Sequence, residues 1–140
     1  MTEKSASKLL YPELSYKIVG ALFAVHKDLG NTYQEKYYQR AVVPAFDKIG
    51  VPYSEQVPIE LHFKSASIGR YFVDFLIDGK IILEIKVVPR LTVQHYRQVD
   101  AYLKAMKKEL GIIANFRSQS LIFRRILNPM YPGRIRENPE

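Results

Sequence analysis

A chain of 140 residues that is 47% hydrophobic and 12% aromatic can bury one core but is too short for two, so a single domain is expected. It contains no cysteine, which excludes disulfides, thiolate metal sites and a cysteine nucleophile and leaves oxygen or imidazole groups to hold any metal, a pattern closer to magnesium than to structural zinc. The formal net charge of +7, with a pI near 9.6, favours a polyanionic partner, nucleic acid ahead of an acidic protein or a membrane surface.

There is neither an uncharged apolar run of about 18 residues nor a basic-then-apolar leader. No membrane association is expected, and the cytoplasm is the expected location. Residues 1–10 are polar and aperiodic and read as a loose N-terminal tail. From Pro12 to Leu29 the apolar positions Leu14, Ile18, Ala21, Leu22, Val25 and Leu29 recur at helical spacing, with Pro12 suited to the first turn and Gly30-Asn31 to the stop. A second helix is expected over 32–49, with Val42, Val43, Phe46 and Ile49 inward, Gly50 ending it and Pro44 as a point of kinking.

The period then changes. Val57, Ile59, Leu61 and Phe63 alternate with Pro58, Glu60 and His62, as in a half-buried strand, and two further strands are expected at 70–77 and 81–88. After Pro89, helical spacing returns from Thr92 to Leu110 through Val93, Tyr96, Val99, Leu103 and Met106, with Thr92 as the cap. Residues 111–116 and 121–126 read as short strands. The end, 128–140, is rich in proline and reads as a loose tail. The order α-α-β-β-β-α-β-β implies a central mixed sheet flanked by helices, an α/β (or α+β) domain over residues 11–127.

Asp74, Glu84 and Lys86 stand inside what otherwise reads as the apolar core of the second and third strands. Side chains two apart on a strand share a face, so Glu84 and Lys86 lie on one surface, and charges there are costly unless paired or bound to metal. Whether Asp74 joins them depends on the turn. A two-residue turn at Asp78-Gly79 would oppose Ile77 to Lys80 and send Asp74 to the other face from Glu84. A loop of odd length, Asp78-Gly79-Lys80, opposes Ile77 to Ile81 and brings Asp74 beside Glu84.

Asp-x(9)-Glu-x-Lys on a strand hairpin resembles the site of the metal-dependent PD-(D/E)XK nuclease superfamily. The surroundings resemble one small family within it, the GxxExxY proteins, over about residues 13–127. The resemblance is carried in order by the segments Leu14–Gly20, Val25–Gly30, Glu35–Tyr38, Val57–Leu61, Asp74–Ile77, Leu83–Val88, Gln98–Leu103 and Asn115-Phe116. The motif that names the family is altered: Thr32 occupies the glycine position while Glu35 and Tyr38 are retained. Since that glycine carries no side-chain chemistry, its loss is expected to alter the start of the second helix more than the reaction.

The resemblance implies a restriction-endonuclease-like domain and a nuclease hydrolysing phosphodiesters of DNA or RNA with Mg2+ or Mn2+. It implies Asp74 and Glu84 as metal-binding carboxylates, the Ile85 carbonyl as a further ligand, and Glu35 as a supplementary acid. Lys86 would orient the attacking water or stabilise charge on phosphorus, and Gln98 would bond a phosphate or the lysine. Several superfamily nucleases are dimers, so a homodimer is compatible with the resemblance, although no symmetric interface is legible. The alternative reading of Lys86 is a snorkelling lysine paired with Glu84 at the sheet edge, and those of Glu35 and Gln98 are ordinary helix residues.

On the third helix His95, Gln98 and Tyr102 form one stripe. His62 reads as surface, and His26 as a helix-terminal cation beside Lys27. No glycine-rich phosphate loop and no Ser/His/Asp nucleophile setting is present. The competing reading is a non-catalytic nucleic-acid-binding module that keeps the nuclease fold.

Overall fold

The structure, a computed structural model, describes residues 10–128. The two expected tails, 1–10 and 128–140, therefore lie outside the described residues except for Leu10 and Asn128. Helices α1 (Pro12–Leu29) and α2 (Glu35–Ile49) precede strands β1 (Tyr53–Phe63), β2 (Ala66–Ile77) and β3 (Ile81–Lys86). Helix α3 (Val93–Met106) then leads to β4 (Leu110–Asn115) and β5 (Ile122–Leu127). The element order is the one expected. The strands form a single mixed sheet in sequence order, β1 to β5. Only β3 and β4 are parallel, and α3 supplies the crossover such a pair needs.

Two layers of helix cover the sheet. On one face Ile18, Leu22, Tyr38, Val42 and Phe46 of α1 and α2 pack on Phe75, Ile77, Leu83, Ile85 and Ile112. On the other, Val99 and Leu103 of α3 pack on Ile82, Ile113 and Ile126. β3 and β4 are covered on both sides, which is why Ile81–Ile85 and the whole of β4 are buried. Gly111 sets the depth of α3: a Cβ there would stand 2.6 Å from Val99 Cγ1.

Element ends differ from the periodicity for local reasons. α1 starts on Pro12 and stops at Gly30, which has φ 76°. α2 begins at Glu35 instead of 32 because the preceding loop is tied elsewhere. The buried Tyr38 hydroxyl donates to the Gly30 carbonyl at 2.6 Å and accepts from the Tyr33 amide at 3.3 Å. Pro44 does sit inside α2, at an exposed position, and so leaves the Arg40 carbonyl without its helical donor.

α3 stops at Met106, before the expected 110, because Lys107 turns left-handed with φ 57° and Leu110 is taken into the ladder opposite Ile81. β3 ends at Lys86. The Asn115 side chain takes over at Val88, accepting from its amide at 3.1 Å and donating to its carbonyl at 2.9 Å.

Candidate active site

The β2–β3 turn decides the site. Asp78 and Gly79 both have positive φ, 53° and 64°, and the Lys80 amide donates to the Ile77 carbonyl at 2.8 Å. Lys80 is then the odd residue, and Ile77 opposes Ile81, Leu76 opposes Ile82 and Phe75 opposes Leu83. Asp74 and Glu84 thus fall at the next step of the hairpin, on the α3 side with Leu76 and Ile82.

At that step the backbone ladder between β2 and β3 ends and the two acids replace it. The Ile85 amide donates to Asp74 Oδ2 at 2.8 Å, and the Asp74 amide donates to Glu84 Oε2 at 2.9 Å. Beyond it the strands part: Val73 pairs with Val57 of β1, while Glu84, Ile85 and Lys86 pair with Ile113, Ala114 and Asn115 of β4. The acids occupy the crotch of this fork and are only 7% and 5% exposed.

Two glutamines complete the surroundings. Gln39 Nε2 donates to Asp74 Oδ1 and to Glu35 Oε2, both at 3.1 Å, so Glu35 reaches the pair through Gln39. The Gln56 side chain also bonds Asp74. Gln56 has φ 48° within β1, a left-handed residue inside a strand.

Burial holds the Asp74 carboxyl above the usual carboxylate range, against the Ile85 amide, Lys86 and the glutamines, which favour its ionised form. Glu84 is pushed up to about 8, by burial first and then by the neighbouring Asp74. Glu35 is raised too, by burial and then by Asp74. Three acids with raised proton affinity around one lysine make a centre short of positive charge.

Lys86 does not supply that charge by pairing. Exposed ion pairs form elsewhere, Arg70–Glu60 and Lys80–Asp78, and Lys86 joins neither. Its Nζ donates instead to Gln98 Oε1 at 3.0 Å. Lys86 and Gln98 open into a cleft of about 560 Å³ bordered also by Tyr71, Arg97 and Tyr102. Burial, and then Glu84, push the Tyr102 hydroxyl up to about 12, so it stays protonated and able to donate. Glu35 borders a second hollow of about 610 Å³ together with Thr32, Tyr33, Val87 and Arg117.

The structure therefore brings together Asp74, Glu84, Lys86 and Gln98, with the Ile85 backbone alongside and Glu35 one glutamine away. His95 is used differently: its Nδ1 accepts from the Thr92 amide at 2.9 Å as part of a capping box on α3. His62 is exposed. The buried His26 bonds the Ser118 carbonyl through Nε2 at 3.0 Å, a structural role. Sequence reasoning missed Gln39, whose only signal is its position one helical turn after Glu35, and Gln56, whose backbone conformation leaves no pattern.

Among the described residues no three Asp, Glu or His side chains form a group able to hold a metal ion. What the fork offers is two carboxylates on a desolvated, charge-deficient surface. Such a pair fits magnesium or manganese, which keep waters and take one or two carboxylates together with substrate phosphate, and does not fit zinc.

No helix among the described residues is long and apolar enough to cross a membrane. A search of curated proteins finds no match. Among solved structures, the crystal structure of SSO0001 is 14% identical and superposes with a TM-score of 0.49, covering 86% of this chain and 79% of that one. The family model of the PD-(D/E)XK nuclease superfamily matches residues 12–126, through every helix and nearly all of the sheet, and the chain belongs to that superfamily.

Proposed function

We propose that the protein is a metal-dependent nuclease of the GxxExxY type that hydrolyses phosphodiester bonds of DNA or RNA. The observation that carries this is Lys86: half-buried beside two buried acids, it forms no ion pair with either and faces an open cleft. A lysine present to neutralise Glu84 would pair with it. Asp74 and Glu84 would hold Mg2+ or Mn2+, with the Ile85 carbonyl as a further ligand and Glu35 acting through Gln39. When bound, the ion supplies Lewis-acid polarisation of the scissile phosphate and a lowered pKa for an attacking water.

The protein's own groups do the rest. The Lys86 ammonium, oriented by Gln98, stabilises negative charge building on the phosphate oxygens. Tyr102 offers a hydroxyl proton at the cleft wall, and Arg97 and Arg117, in the clefts on either side, meet the flanking phosphates. The basic excess favours the polyanion, and we place the activity in the cytoplasm.

Incubation with labelled single- and double-stranded DNA and RNA in magnesium, manganese or EDTA tests this. Cleavage that requires the cation and is lost in Glu84→Ala and Lys86→Ala is expected; no cleavage, or cleavage unchanged in both variants, defeats it. One observation favours a second reading, a binding module without turnover: each acid already accepts a backbone amide, so the pair also serves to close the fork. That reading expects salt-sensitive binding with no metal dependence.

A further inference from the structure

On the outer side of α2, and in the loop before it, lies a surface of another chemistry. Tyr33 and Tyr37 are 47% and 43% exposed and meet edge to face with ring centres 6.3 Å apart. Lys36 Nζ stands 5.3 Å and the Arg40 guanidinium carbon 5.7 Å from the centre of the Tyr37 ring. Tyr33, Tyr37 and Arg40 border a hollow of about 540 Å³. Tyr33 also borders the hollow lined by Glu35 and Arg117, so this one residue adjoins both the aromatic surface and the acids' side of the molecule.

Tyr33 is held where it is. Its amide donates to the Tyr38 hydroxyl, which is bonded to the Gly30 carbonyl, and the buried Tyr38 ring stacks on Phe116 with centres 4.6 Å apart. A buried tyrosine thus fixes the backbone that presents an exposed one, so that this backbone need not be ordered again on binding.

We infer that Tyr33, flanked by Tyr37, is a stacking subsite for an unpaired base, with Lys36 and Arg40 on its phosphate, and that the substrate at the acids is therefore a single-stranded stretch or end. The inference rests on the nuclease reading of Asp74, Glu84 and Lys86 for its second half only. Bases within a duplex are already stacked and have no free face to offer a tyrosine, whereas an unpaired base does. The two cations beside Tyr37 match the charge of the strand carrying that base, and the shared wall at Tyr33 leads the next phosphate toward Glu35 and Arg117.

Fluorescence anisotropy with labelled single-stranded DNA, single-stranded RNA and blunt duplex DNA of equal length, all in EDTA, tests the subsite without cleavage. Tyr33→Ala is expected to weaken single-strand binding about 5- to 150-fold while duplex binding is unchanged, and Tyr33→Trp is expected to restore it. The arm that loses more, DNA or RNA, identifies the strand preferred. Unchanged single-strand binding, an equal loss on duplex, or failure of Tyr33→Trp to restore binding overturns the subsite. Tyr33-dependent strand binding by a protein that cleaves nothing would leave the subsite standing and remove the nuclease reading. Metal-dependent cleavage with Tyr33-independent binding would do the reverse.

Discussion

The Asp74 amide donates to the carboxylate of Glu84, ten residues along the chain, at 2.9 Å. Asp74 in turn accepts from the amide that follows Glu84, that of Ile85, at 2.8 Å. Two acids stand where a sheet would otherwise place two more backbone bonds, so the same carboxylates have a structural and a chemical duty, and variants can separate the two.

Glu84→Gln keeps an oxygen for the Asp74 amide and removes the charge, whereas Glu84→Ala leaves that buried N–H without its acceptor. At pH 5 in EDTA, Glu84→Ala is expected to lower unfolding stability by about 1–3 kcal/mol and Glu84→Gln by much less, as read from urea midpoints. Both are expected to abolish metal-dependent cleavage. Equal stability of the two variants would mean that the carboxylate is not closing the fork.

Stability in EDTA should fall as pH rises. The Glu84 pKa is raised from 4.5 to about 8 in the fold, so between those values the native state holds a proton that the unfolded chain has released. The stabilisation is full below about 4.5 and is lost progressively as pH rises through about 8, with Asp74 and Glu35, both raised, acting in the same direction. Urea midpoints across this range check the sign, and millimolar magnesium should oppose the fall at the alkaline end. A midpoint that climbs with pH in EDTA would contradict the burial of these acids.

Lys86→Ala should cost activity without costing the fold. The side chain is half-buried and bonded to Gln98 alone, so the unfolding midpoint should barely move, while turnover falls by about 100-fold or more if the ammonium meets charge developing on the phosphate. Gln98→Ala should give a smaller loss in the same kinetic parameter. Full activity in Lys86→Ala would remove the lysine from the chemistry.

Gly111→Ala probes the packing beneath the site. The added methyl would meet Val99 Cγ1 at 2.6 Å, and the expected cost is about 1–3 kcal/mol from overpacking. Val99→Ala in the same chain should recover part of it, so the two changes together cost less than their sum. Additive losses in thermal or urea unfolding would show that α3 shifts freely instead.

Much of this architecture was legible before any coordinates. The order of elements follows from two periods, 3.6 and 2, whereas the sequence left two registers open at the Asp78-Gly79 turn, and the pairing of Ile77 with Ile81 is the one that brings Asp74 to Glu84. What was not legible came from contacts distant in sequence. The start of α2 is displaced to Glu35 by the Tyr38 hydroxyl bonding the Gly30 carbonyl, and the end of α3 is displaced to Met106 because Leu110 joins the sheet. Gln39 reads as a surface residue of an amphipathic helix, and only docking of α2 against the fork turns it toward Asp74. Gln56 depends on a backbone angle that residue type does not announce.

The odd-length turn at Asp78–Lys80 has a kinetic consequence. Asp74 and Glu84 are brought together by closing a short local loop, a fast event, whereas Gln39 must return to Asp74 across 35 positions. The hairpin can therefore set the two acids side by side before α2 has docked, and the folding chain meets their repulsion early, when water can still screen it and a proton can still be taken up.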